Sequence, residues 1–185
     1  MTVHVARPAG DQATGAIRAG GLITCRAATL DTDLASCRQI RHAVFVAEQE
    51  LFDESDHDIH DEDPDTIHLL GSYDGMPAGA VRLFALDPGS GLWQGDRLCV
   101  LPPYRVHGVG MPLVRCAVAT AGALGGDRMV AHIQVSNVAF FRRLGWRNDG
   151  ALETYVGQPH QPMSIDLPAP DAGARTARDL AAGVR

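Results

Sequence analysis

The sequence predicts an α/β fold in which a mixed sheet is flanked by helices. Three observations carry this. Strand-like and helix-like periodicities follow one another in the order β-α-(loop)-β-β-β-α-β-α-β-β, which interleaves the two element types. The stretch Arg128 to Val135 is too uniformly apolar for a surface strand and reads as a central strand buried on both faces. A chain of 185 residues with 45% hydrophobic and 21% charged content is long enough for one globular domain with a substantial core.

Taken in order, Leu22 to Ala28 reads as a first strand. Asp31-Thr32-Asp33 is a capping cluster for a helix on which Leu34, Cys37, Ile40, Val44 and Ala47 recur at helical spacing. An acidic loop follows. His68 to Tyr73 and Ala78 to Leu86 then form a hairpin around a turn at Asp74-Gly75-Met76-Pro77, and Trp93 to Leu101 is another strand. A second helix carries Val109, Leu113, Cys116, Ala117, Thr120 and Leu124 as its apolar positions; it tolerates Pro112 in its first turn and stops at Gly125-Gly126. After the central strand, Ser136-Asn137 caps a short helix ending at Gly145, and Arg147 to Val156 and Gln161 to Leu167 supply the last two strands. Residues 1–20 and 168–185 lack periodicity and read as tails around a domain of 21–167.

Charge excludes some functions. Residues 53–65 hold eight acids and no Arg; without those acids the rest of the chain nets +2, against −6 for the whole. No basic face is available to neutralise phosphates along a nucleic acid. All 16 basic residues are Arg, a compositional bias without mechanism. No apolar run reaches membrane-span length and no secretion signal opens the chain, which places it in the cytoplasm and off the membrane. Cys25, Cys37, Cys99 and Cys116 lie far apart and form no C-x-x-C pair, so reduced, buried thiols are expected.

The informative segment runs from Leu98 to Gly110, a strand passing through a turn into a helix start. Amides at a helix N-terminus have no internal partner and favour an anion, phosphate being the natural occupant. Gly108 and Gly110, lacking Cβ, permit the tight turn and a close approach of a diphosphate, and Arg105 can add a charge-assisted contact. The R-x-x-G-x-G pattern is neither a Walker loop nor G-x-G-x-x-G.

With its surroundings the segment resembles the GNAT superfamily of N-acetyltransferases. The resemblance rests on Val100-Leu101-Pro102-Pro103-Tyr104-Arg105, then Gly108 and Gly110, then Asn137-Val138-Ala139-Phe140-Phe141-Arg142-Arg143-Leu144-Gly145-Trp146. Val44-Phe45-Val46-Ala47-Glu48-Gln49 is similar to the first helix of one GNAT branch, and within it to a bacterial subgroup encoded in nitrogen-starvation gene clusters. The resemblance implies a mostly antiparallel sheet of six to seven strands with a splayed central parallel pair and about four helices. It implies acetyl-CoA as acyl donor, an amine acceptor of small size, and allows a homodimer. The amides of Val106, His107, Gly108, Val109, Gly110 and Met111 would hold the diphosphate, and the backbone of Leu98, Cys99 and Val100 would align the pantetheine arm and the acetyl carbonyl. Asn137, Phe140 and Phe141 would border the thiol end. A free N–H on the splayed strands can stabilise the oxyanion, and the enzyme otherwise works by positioning.

A neutral amine nucleophile needs a base. Asp96, in the strand before the loop, is the first candidate; Glu48 and Glu50, at the end of the first helix, come next; His132 on the central strand is the third, against the plainer reading of a satisfied core histidine. His107 reads as a neighbour of the phosphate. Many GNAT enzymes place a Tyr where this chain has Phe141, so the acid that protonates the thiolate is left to Tyr155 or water. His57 and His60 among carboxylates match neither a calcium loop nor a helical zinc site, so no metal is assigned. The acidic loop reads as solvated, or as a lure for a cationic amine. A non-catalytic acyl-CoA sensor, favoured by Phe141, and an acyl-homoserine-lactone synthase are the alternatives.

Overall fold

The computed structural model describes residues 21–169 apart from Pro88, so the two tails lie outside the described residues except for 168 and 169. The chain opens with β1 (Ile23–Ala27) and α1 (Asp31–Arg41), which runs on as π-helical turns over His42–Glu48. β2 (Ile67–Tyr73), β3 (Met76–Ala85) and β4 (Leu92–Val100) form a meander. A single turn, α2 (Pro102–Arg105), precedes α3 (Gly110–Ala123), β5 (Arg128–Gln134) and α4 (Val138–Arg143). β6 (Arg147–Asn148), β7 (Glu153–Tyr155) and β8 (Gln158–Asp166) close the described chain.

These strands make one sheet in the order β1-β2-β3-β4-β5-β8-β6, with β7 also on β8; every pairing is antiparallel except β4 with β5. The expected mixed sheet with one central parallel pair is present. The strand count reaches eight because Arg147 to Val156 is two short strands where one was expected.

The sheet separates two apolar clusters. On one face Leu113, Val114, Ala117 and Ala121 of α3 meet Val81, Leu83, Met129, Ala131 and Ile133 of the strands, with Phe141 and Trp146 beyond. On the other, Cys37, Ile40, Val44 and Phe45 cover Leu70, Ala80 and Cys99. Burying such side chains supplies about 1.5–3 kcal/mol each.

Local details depart from the sequence reading for identifiable reasons. Leu30 takes the N-cap position of α1 without a side-chain bond, and Asp33 instead turns inward to chelate Arg26 of β1. The π-helical turns, closed by Gln49 N–H donating to the Val44 carbonyl at 2.9 Å, shift the helical phase so that Phe45 is buried and Ala47 exposed. The hairpin turn is the two residues Asp74-Gly75, leaving Met76 and Pro77 in β3. β5 is interior, yet buried on one face only: Met129, Ala131 and Ile133 are buried while Val130, His132 and Gln134 are half-exposed.

The acidic loop is solvated only in part: Asp53, Glu54, Glu62, Asp63 and Asp65 are exposed, while Asp56, Asp58 and Asp61 turn inward. Asp58 caps a one-turn 3-10 helix at Ile59–Asp61, and three loop carboxylates close on three arginines beneath them. Arg41 holds Asp56 at 2.7 Å and Asp61 at 2.5 Å; Arg82, fully buried on β3, reaches Asp58, Asp61 and Asp96; Arg97 holds Asp58 at 2.9 Å. A buried charge is tolerated only when so paired. Both guanidinium groups of Arg41 and Arg82 are pushed upward by their carboxylate partners against the opposing effect of burial.

Candidate acyl-CoA site

The site begins with a strand that will not stay flat. Between Ala80↔Cys99 and Arg82↔Asp96 the β3–β4 ladder shifts, and two residues of β4, Arg97 and Leu98, oppose Val81 alone. Arg97 adopts φ 51, the left-handed region, and its side chain is anchored on Asp56 and Asp58. Such a bulge adds twist and re-aims the strand. β4 and β5 consequently pair only at Leu92↔Arg128, Trp93↔Met129 and Gln94↔Val130, although β4 continues to Val100 and β5 to Gln134.

A cleft of about 880 Å³ opens where these strands part. Leu98, Cys99 and Val100 line one wall and Ala131, His132, Ile133 and Gln134 the other. The Cys99 thiol belongs to the core behind the wall, and burial pushes it up to about 12, so only its backbone serves the cleft. Gly108, Gly110 and Met111 line it where α3 starts, with Phe140 beside Gly110, and Asn137 and Phe141 line it as well.

Of the six turn amides, four are already used inside the protein: Val106 and His107 donate to Tyr104, Gly108 to Arg105, and Met111 to Gly108. The Val109 and Gly110 amides have no acceptor among the described residues, which narrows the expected run of 106–111 to these two donors. Gly108 is required by the turn itself, with φ at 76. Gly110 is not: a Cβ there would meet nothing closer than Phe140 at 3.7 Å and Val100 at 3.8 Å, ordinary contacts that face the cleft. The glycine therefore keeps clear a space that the protein does not fill, next to unsatisfied donors at a helix N-terminus, which is what a diphosphate needs.

Three other sequence candidates stand elsewhere. Val106 points to solvent, the His107 ring stacks on Tyr73 at 4.2 Å, and the Val109 side chain is wholly buried. None of these side chains lines the cleft. Arg105 does, but it is spent on the protein: it donates to the Val100 carbonyl at 2.9 Å and chelates Glu48 at 2.7 and 2.6 Å. It ties the end of β4 to the end of the first helix. The free cations of the cleft are Arg115, one turn beyond Met111 on α3, and Arg143 on α4; neither has an ion-pair partner among the described residues. The i, i+4 spacing from Met111 would have found Arg115.

The base candidates are sorted by their partners. Glu48 is exposed, and its bond to Arg105 holds its carboxyl below the usual range, which makes it a poor proton acceptor. Glu50 is exposed and does not line the cleft. Asp96 lines the cleft, but both its oxygens accept from Arg82, at 2.9 and 2.7 Å. His132 is no core histidine. It projects from the unburied face of β5 into the cleft, two residues past the last rung with β4. Its Nδ1 meets the Glu153 carboxylate, its ring lies flat on Tyr155 at 4.5 Å, and Tyr155 meets the His160 ring edge-on at 5.4 Å. Nε2 has no partner among the described residues. Phe141 is buried between Phe140 and Trp146 and carries no proton.

The Acetyltransferase (GNAT) family matches over residues 33–146. The chain belongs to this family. A Bacillus subtilis protein that carries an acetyltransferase name is 30% identical over 141 residues, 74% of this chain and 91% of the relative. An acyl-CoA N-acyltransferase from Pseudomonas aeruginosa is 27% identical with a TM-score of 0.65, covering 78% of this chain and 98% of that one. Escherichia coli ElaA superposes with a TM-score of 0.69 at 23% identity, over 77% of this chain and 99% of its own. This GNAT chain is accordingly an N-acetyltransferase-type enzyme that draws its acyl group from an acyl-CoA. Among the described residues no helix is long and apolar enough to cross a membrane.

Proposed function

We propose that the enzyme transfers acetyl from acetyl-CoA to the amine of a small-molecule acceptor by direct attack within a ternary complex. The observation that carries this is the parting of β4 from β5 after three rungs beside a helix start whose Val109 and Gly110 amides are unsatisfied. The diphosphate would rest on those amides with Arg115 and Arg143 nearby, and the pantetheine arm would lie along the free edge of Leu98 to Val100. An N–H on that edge is suited to the oxyanion, and burial in a narrow cleft strengthens such a bond.

His132 is assigned as general base. Glu153 fixes the Nδ1 side of the ring, so Nε2 is the atom that collects the proton of the attacking amine. The Tyr155 hydroxyl, on the ring stacked against His132, is the group in the cleft able to return a proton to the thiolate. All four cysteines are free, in keeping with a reducing, cytoplasmic setting.

The test is release of free thiol from acetyl-CoA in the presence of an amine pool, with coenzyme affinity measured in parallel on Gly110→Glu. Transfer by the wild type, and loss of coenzyme binding in a folded Gly110→Glu, are expected. Undiminished binding by that variant would overturn the placement of the coenzyme.

A further inference from the structure

The cleft continues past the splayed strands onto the sheet face covered by α1. Val44, Phe45, Leu51 and Phe52 line the cleft there, and His132 lines it from the same face of β5 as Gln134. The side-chain amides of Gln49 and Gln134 bond to each other across it at 3.1 Å. Apolar walls with a few polar groups are the usual make-up of a small-molecule site.

The charges around the cleft argue against a polycation. Asp96 is the one carboxylate among its lining residues, and Arg82 takes both of its oxygens. The loop carboxylates Asp56, Asp58 and Asp61 face inward to Arg41, Arg82 and Arg97, and none lines the cleft. The Arg97 guanidinium lies 4.9 Å from the centre of the Phe52 ring, so a cation already occupies that aromatic surface. A second ammonium group held within the lining would find no free carboxylate there and would compete with Arg97 for the Phe52 ring; the unpaired Glu50, Asp53 and Glu54 lie outside the lining.

Resting on the acetyltransferase reading above, we infer that the acceptor is a primary amine borne on an uncharged apolar body, of the arylalkylamine class. Its body lies against Phe45, Leu51 and Phe52, and its single amine reaches His132. In the step itself the neutral amine nitrogen bonds to the acetyl carbonyl carbon, the carbon–sulfur bond breaks, the amine proton passes to His132 Nε2, and the departing thiolate takes a proton from the Tyr155 hydroxyl, which His132 restores. An amide and free coenzyme A are the products, with no change of oxidation state.

The experiment uses the full chain with acetyl-CoA and compares 2-phenylethylamine with spermidine by thiol release, alongside a direct titration of acetyl-CoA. kcat/KM should favour 2-phenylethylamine by about tenfold or more, the scale of one apolar side-chain contact. Phe52→Ala should raise KM for 2-phenylethylamine by about tenfold while the acetyl-CoA affinity stays at the wild-type value. Leu51→Asp, a second variant at an only partly buried position, should narrow the preference by weakening 2-phenylethylamine and favouring spermidine. Equal or greater use of spermidine by the wild type, or Phe52→Ala and Leu51→Asp both leaving the ratio unchanged, would overturn the inference. Transfer to neither amine with acetyl-CoA still bound overturns the acceptor class alone. Failure to bind acetyl-CoA overturns the acetyltransferase reading, and the acceptor class with it.

Discussion

The Nδ1 atom of His132 is held by the carboxylate of Glu153, a residue 21 positions away on a three-residue strand. The bond leaves Nε2 as the ring's open nitrogen and fixes which side of the imidazole faces the cleft. A base held in this way contributes about 10²–10⁴-fold to rate. His132→Gln should therefore lower kcat by about that factor with little change in KM for acetyl-CoA. Glu153→Gln, which keeps the shape and loses the charge, should lower kcat less. Steady-state kinetics of the two variants checks this, and a His132→Gln enzyme with wild-type kcat would remove the assignment.

Glu48 provides the complementary case. Its carboxyl is held below the ordinary value of 4.5 by Arg105, and so it stays ionised and paired through the neutral range. A base must accept a proton, and this one is disposed not to. Glu48→Gln is expected to change kcat by less than about threefold, since an exposed ion pair contributes little. A slow rise in KM for acetyl-CoA is the permitted effect, because Arg105 also holds the Val100 carbonyl at the cleft edge. A hundredfold fall in kcat would make Glu48 the base instead.

The Arg–Asp cluster under the acidic loop sets a pH limit. Burial raises the Asp58 and Asp61 carboxyls, but Arg82 and Arg41 outweigh it, and both groups end below their ordinary 3.8. Groups whose folded values are depressed stabilise the fold above the unfolded value, and that contribution disappears as pH falls through the folded one. Thermal stability should consequently hold down to about pH 4 and drop below it. Arg82→Met takes from Asp96 the one side chain that hydrogen-bonds it and from Asp58 and Asp61 one of two arginine partners, and should cost about 3–5 kcal/mol at neutral pH, with a smaller difference from wild type in acid. Melting curves of both proteins from pH 3 to 7 test the sign as well as the size.

What the sequence made readable follows from range. Periodicity and turn residues are local, and β1 to β5, α1 and α3 came out close to their observed limits. The Gly108–Gly110 turn was readable for the same reason, since a left-handed φ and a helix start are encoded within a few residues. The inward turn of Asp56, Asp58 and Asp61 is not legible in the sequence, because the arginines that neutralise them, Arg41, Arg82 and Arg97, stand up to 41 positions distant and a charge count along the chain cannot show that. The contact of His132 with Glu153 is hidden from the sequence for a related reason: Glu153 comes from a short strand folded back on β8. The phase shift that buries Phe45 needed the π-helical turns, which no spacing rule announces.

The two glycines of the coenzyme turn separate folding from binding. At Gly108 the backbone sits at φ 76, so Gly108→Ala forces an L side chain into the left-handed region and should destabilise the fold by about 1 kcal/mol, whatever its effect on the coenzyme. At Gly110 the backbone is helical and a Cβ has room, so Gly110→Ala should leave stability unchanged or raise it by up to about 1 kcal/mol. Its methyl group would nonetheless enter the space beside the two unsatisfied amides, between Phe140 and Val100. Acetyl-CoA affinity should fall about tenfold in Gly110→Ala, the cost of lengthening one or two charge-assisted bonds. Chemical denaturation and calorimetric titration on the same preparations give both numbers. A Gly110→Ala protein that is less stable yet binds as well as wild type would mean that the glycine serves the helix and not the ligand.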